Sequence, residues 1–150
     1  MAAKLSHRGT ANRGAAAVEL ALLMPLLILI IFGMIEMGWL VMKQSDITNA
    51  ARAGARYAAM PSVTNVSDVT GGNSPAIQVL NSNNLTPYAT VTVGGSGVTP
   101  PVGNLVTVTV TLQYRSSATK AGAELLHFLT FALPDQLHAT VSMAKEGPTS

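Results

Sequence analysis

"RGAAAVELALLMPLLILIIFGMIEMGWLVMKQSDITNAARAGARYAA", residues 13–59, decides how the rest of the chain is read. Between Glu19 and Glu36 lie 16 consecutive uncharged residues, and residues 15–42 hold only those two charges. About 20 apolar residues cross a bilayer core, so a helix carrying an acid near each end of this run can span it. A carboxylate at membrane depth costs several kcal/mol unless it is neutralised or reaches the interface, so both acids ask for partners.

The 14 residues ahead of the apolar run, "MAAKLSHRGTANRG", carry Lys4, Arg8 and Arg13 and no acid. That bias puts the N-terminus on the cytoplasmic side and the C-terminal part outside. Nothing stops the helix at Met42. "KQSDITNAARAGARYAAM", residues 43–60, is Ala-rich and free of proline until Pro61 breaks the pattern. One helix over residues 15–60 would measure roughly 69 Å, more than twice a hydrocarbon core of about 30 Å. A stalk is therefore expected to project beyond the lipid. Its small residues Ala50, Ala51, Ala53, Gly54, Ala55, Ala58 and Ala59 suit close packing against another helix, or serve helix propensity alone. Pro25 removes one amide donor inside the span and is the expected helix kink.

A secretory signal fits poorly, because the apolar run is too long for a signal core, contains charge, and would be discarded with the stalk. A cut between Gly14 and Ala15 fits better. It frees an ammonium on Ala15 and makes Glu19 the fifth residue of the mature chain, so the two charges compensate each other within a chain or between neighbours. The competing reading leaves the chain uncut, with Glu19 snorkelling at the interface beside Arg13. Glu36 and Lys43 stand seven apart, nearly on one face, with about 10 Å of rise between them, too far to pair within one helix. Either a neighbouring subunit supplies the partner, or Glu36 rests at the outer headgroup level. Arg52 and Arg56 share a face four residues apart and are further candidates for inter-subunit charge contacts.

Residues 61–150 differ in composition. "PSVTNVSDVTGGNS", 61–74, reads as a linker, and Ser74 before Pro75 reads as a helix N-cap opening "PAIQVLNS". "YATVTV" (88–93), "LVTVTVTLQY" (105–114) and "QLHATVSMAK" (136–145) alternate polar and apolar residues as half-buried strands do. Val106, Val108, Val110, Leu112 and Tyr114 share one face, as do Leu137, Ala139, Val141 and Met143. "GGSGVTPPVGN" is the connection of a long hairpin. "AGAELLHFLTFAL", 121–133, is either a helix or an irregular apolar cover. The expected fold is α+β: a long N-terminal transmembrane and stalk helix, then a small three-stranded antiparallel sheet with one or two short helices. The parts are a leader at 1–14, the helix at 15–60, a linker at 61–74 and an extracytoplasmic head at 75–150.

Chemistry is sparse. The chain has no cysteine, which excludes disulfides and thiolate sites. Glu124 and His127 form a single Glu-x-x-His pair; Asp135 and His138 supply no second copy, so no metal or cofactor is expected. No GxSxG elbow, SxxK pair or P-loop occurs, and no catalytic residue is assigned. The net charge of +2 is scattered without interleaved aromatics, which argues against nucleic acid as a partner.

The run over residues 13–59 resembles the TadE-like proteins of bacterial tight-adherence (Flp-type) pilus systems: a Gly before the apolar stretch, the Glu that follows, Pro in the membrane helix and an "AARxGAR" segment. It departs from the family's frequent pattern at Leu20, where an aromatic often follows the Glu, and at Ala53, where an acid is common. The resemblance implies a minor pseudopilin or pilus assembly component of the bacterial inner membrane, single-pass and non-enzymatic. It also implies cleavage by a prepilin peptidase between Gly14 and Ala15. The implied partners are other pilin and pseudopilin subunits, inner-membrane pilus assembly proteins and membrane lipid. The alternative reading is an uncleaved membrane-anchored binding or enzymatic domain.

Overall fold

A computed structural model describes residues 9–94, 97–98, 104–113 and 136–147. Helix α1 spans Gly9–Ala59 and continues through Pro25 without interruption. It is followed by α2 (Val66–Thr70), α3 (Pro75–Ser82), β1 (Ala89–Gly94), β2 (Leu105–Gln113) and β3 (Gln136–Ala144). The strands form one antiparallel sheet in the order β1-β2-β3. The expected α+β fold is the observed one.

Local chemistry sets the element ends. Pro61 follows the last turn of α1, where the Met60 amide donates to the Tyr57 carbonyl at 3.1 Å. The Ser74 hydroxyl accepts from the Ile77 amide at 3.2 Å, and Pro75 occupies the first turn of α3, where a missing amide costs nothing. Asn84 ends that helix at φ 55°, in the left-handed region that asparagine tolerates better than most residues. The Leu85 amide then reaches back to the Leu80 carbonyl at 2.8 Å, and both leucines are buried.

β2 carries the head. Val106, Val108, Val110 and Leu112 turn inward with Leu137 and Ala139 of β3, and all six are buried. Thr107 meets Ser142 at 2.8 Å and Thr109 meets Thr140 at 3.0 Å on the outer face. Thr111 Oγ1 and His138 Nδ1 lie 3.1 Å apart on the same face. The sheet thus has one dry and one wet side.

The dry side is covered by the part of α1 beyond Met42, the segment read as a stalk. Ala50, Ala51, Ala55 and Ala58 of α1 are fully buried in the same core as the strands, with α3 beside them. A Cβ placed on Gly54 would lie 3.1 Å from the Ala76 Cβ and 3.1 Å from Val108 Cγ1. The small-residue face receives a helix of its own chain, α3, and the sheet beside it. The segment read as a linker likewise contains α2, whose Val69 is buried.

β3 is an edge of the described sheet, and α1 is tied to it at both ends. The Gln44 side-chain amide donates to the His138 carbonyl at 3.0 Å, and the Glu146 amide donates to the Ala59 carbonyl at 2.9 Å. Covering an edge in this way occupies backbone groups that would otherwise template another strand.

Candidate functional site

The feature of α1 that bears on function is its bare surface. From Val18 to Met42 nearly every large apolar side chain is exposed, Leu22 at 75% and Met34 at 71%. Twenty-five residues at 1.5 Å each give about 37 Å, enough to cross a hydrocarbon core. Among the described residues, α1 is the one helix long and apolar enough to do so.

Gly14, Ala15 and Glu19 all lie within this helix and are all exposed. Helical geometry places Ala15 and Glu19 one turn apart on one face. Helical side chains lean toward the N-terminus, so the Glu19 carboxylate leans toward the Ala15 nitrogen. A chain beginning at Ala15 would gain twice, from the amine and carboxylate pair and from an acid near the positive end of the helix dipole. A Cβ on Gly14 would meet nothing within 4 Å.

Glu36 differs from the rest of the span. It is 1% exposed, while Ile35 and Met37 on either side are 52% and 54% exposed. Among the described residues, neither of its carboxylate oxygens has a hydrogen-bond partner. Its carboxylate is shielded within the chain and, among the described residues, unsatisfied. Lys43 is engaged elsewhere. Its ammonium is 3.5 Å from the Asp46 carboxylate and 5.7 Å from the centroid of the Trp39 ring. A tryptophan and a lysine together at this height are the usual marks of a membrane–water interface.

Arg52 and Arg56 are exposed on the part of α1 that belongs to the head. Arg56 lines an open groove with Met60, Met143 and Glu146. Glu19, Glu36, Lys43, Arg52 and Arg56 are strung along the helix and do not converge on one another. Among the described residues no three His, Asp or Glu side chains gather into a metal-binding group. Glu124, His127 and Asp135 lie outside the described residues.

One charged residue escaped sequence reasoning. Lys145 is 8% exposed, and its ammonium donates to the carbonyls of Ala58 (3.0 Å), Met60 (2.6 Å) and Val63 (2.8 Å). The Ala58 and Val63 carbonyls lie at a helix end and in the turn after it, where amide donors run out, while the Met60 carbonyl also accepts from the Val63 amide at 3.2 Å. A cation there also meets the negative end of the helix dipole. Its acceptors lie more than 80 residues earlier in the chain, so no local pattern announces it.

Comparison with known proteins gives a match within α1 alone. Residues 14–56 match the family model described as TadE-like protein. No curated protein and no solved structure matches the chain. The match starts at Gly14 and ends at Arg56, so it covers the bare span and most of the helix face that enters the head.

Proposed function

We propose that this chain is a minor pseudopilin or assembly component of a tight-adherence, Flp-type pilus, held in the bacterial inner membrane by α1 with its head on the outer side. It works by association and not by catalysis. The observation that carries this reading is the coincidence of the TadE-like match with a helix whose 18–42 surface is left bare by its own fold. Such a surface is stable in lipid or in a bundle of like helices and nowhere else. Cleavage after Gly14 by a prepilin peptidase gives Ala15 an ammonium one turn from Glu19. The pairing offsets the burial of both charges when helices bundle and favours one axial arrangement of subunits.

The test is the mass of the mature protein recovered from membranes and from sheared pili of its host. A chain starting at Ala15, together with loss of piliation on deletion of residues 61–150, is the expected result. Retention of Met1 or Ala2 in assembled material would remove the amine and carboxylate mechanism. Intact pili after the deletion would remove the assembly role of the head.

A further inference from the structure

The two edges of the sheet differ. β3 is tied to α1, whereas β1 has no such cover among the described residues. The Gln113 amide donates to the Tyr88 carbonyl at 2.9 Å, which marks these two as a hydrogen-bonded pair of the β1-β2 ladder. Such pairs alternate along antiparallel strands, so the backbone groups of Thr90, Thr92 and Gly94 face β2, opposite Thr111, Thr109 and Thr107. Ala89, Val91 and Val93 then point their amides and carbonyls away from the sheet. No hydrogen bond among the described residues reaches these groups, which repeat over about 14 Å.

Composition makes this edge receptive. β1 reads Ala-Thr-Val-Thr-Val-Gly in unbroken register with β2, with no charge, proline or bulge to blunt it. Natural sheets rarely leave such an edge bare, because it templates pairing with another chain. On the dry side α2 packs against β1 and leaves Val66 43% exposed, an apolar surface beside the edge. On the wet side Thr90 and Thr92 are exposed. A strand added here would continue both faces by alternating apolar and polar residues, and it would need no charge.

Membrane orientation decides against self-pairing of two β1 strands. Gln44 meets His138 and Ala59 meets Glu146, so α1 and β3 run the same way; β1, two antiparallel steps away, runs with them. Antiparallel pairing of β1 with another β1 would invert one α1 relative to the other, which two copies anchored the same way up in one membrane cannot do. The β3 edge of a second copy is taken by its own α1. We infer that the β1 edge receives an extended segment of a different protein, uncharged and alternating apolar with polar residues. It runs antiparallel to β1, the more stable pairing, and so toward the membrane. The inference rests on α1 as the anchor and not on the pilus reading.

The probe is a fluorescein-labelled heptapeptide, Lys-Thr-Val-Thr-Val-Thr-Lys, titrated by anisotropy against the purified full-length protein in detergent micelles. Half-saturation is expected between roughly 0.1 and 1 mM, as for a short strand ordered on binding. In the antiparallel register the probe's valines, on the dry side with Val91, turn their backbone groups to β1. N-methylation of both valines should weaken binding at least about tenfold, and N-methylation of two threonines should not. Ala89→Pro removes an outward amide at the first residue of an edge strand, where proline is tolerated. It should weaken binding about tenfold as well, with the urea midpoint of the head unchanged. Should that variant unfold, Thr92→Lys puts a charge on the exposed side of the same strand and should weaken binding at least about threefold.

Failure of the unmodified probe to bind, or equal binding of the two methylated probes, overturns the proposal. So does equal affinity for the parent and the folded edge variants, since the probe then sits elsewhere. The sequence holds no cysteine, so second copies are read by oxidation in host membranes. Thr92→Cys should give no more homodimer than Ser142→Cys on β3; an excess would place a second copy at the edge and overturn a different protein as occupant. None of these measurements uses pili, so failure of the assembly reading is seen separately, in the mass and piliation test above.

Discussion

Replacing Lys145 by methionine removes one ammonium and keeps a flexible side chain of similar length, so it isolates the clamp that joins the end of β3 to the end of α1. A hydrogen bond from a charged donor contributes about 1.5–3 kcal/mol net, and Lys145 makes three. They do not simply add, because one ammonium serves all three. The Met60 carbonyl also keeps the amide of Val63 at 3.2 Å, so the loss falls mainly on the Ala58 and Val63 carbonyls. Removing the ammonium also relieves the cost of its own burial. The expected balance is a loss of about 3 kcal/mol in head stability. Pulse proteolysis of the full-length protein in detergent across a urea series reads this directly. With a slope of about 1–3 kcal/mol per molar, the midpoint should fall by about 1–3 M. Lys145→Arg should lie between the two, since a planar guanidinium cannot aim one nitrogen at three convergent oxygens. A Lys145→Met midpoint within about 0.3 M of the parent would refute the clamp.

Gly54→Val should destabilise the head by more than about 2 kcal/mol, because its first carbon already lies 3.1 Å from both Ala76 and Val108. Gly38→Ala, which meets nothing within 4 Å, should leave the urea midpoint of the head unchanged in the same proteolysis series. Thr109→Val combined with Thr140→Val removes a 3.0 Å hydroxyl contact on the wet face of the sheet and should change head stability by less than about 1 kcal/mol in either direction.

The parts of the fold that depend on local chemistry were legible in the sequence. The apolar run and Pro61 bound α1, Ser74 with Pro75 opens α3, and the threonine and valine alternation writes β2 with its wet and dry faces. What could not be read was which surface each face meets. An Ala and Gly stripe looks the same whether it receives a neighbouring helix or the chain's own sheet, and only the approach of Val108 and Ala76 to Gly54 decides between them. α2 was missed because its five residues include a single buried side chain, Val69, in otherwise polar surroundings. At the candidate site, Ala15 and Glu19 on one helix followed from spacing, whereas Gly14, read as the end of a leader, is also helical because α1 begins at Gly9. The shielding of Glu36 did not follow from spacing, since burial is a property of the folded chain.

The same geometry makes the stalk part of the head's core and couples the bare span of α1 directly to the head. Ile47, the first fully buried core residue of α1, stands four residues beyond Lys43, about 6 Å along the axis. α1 is continuous across that interval, so any tilt or rotation of the span is carried into the sheet. Insertions after Lys43 test this. Two alanines would turn the head by about 200° relative to the lipid-facing surface, whereas seven would turn it by only about 20° while raising it about 10.5 Å. If span and head must each meet neighbours on a fixed side, the two-residue insertion should abolish piliation and the seven-residue insertion should retain more of it. Head stability, measured by urea proteolysis, should fall in both, since each insertion displaces Leu40 from its place against the core, so piliation is compared at matched protein levels. Equal piliation by the two insertions would show that the span and the head engage their partners independently, and the continuity of α1 would then carry no positional information.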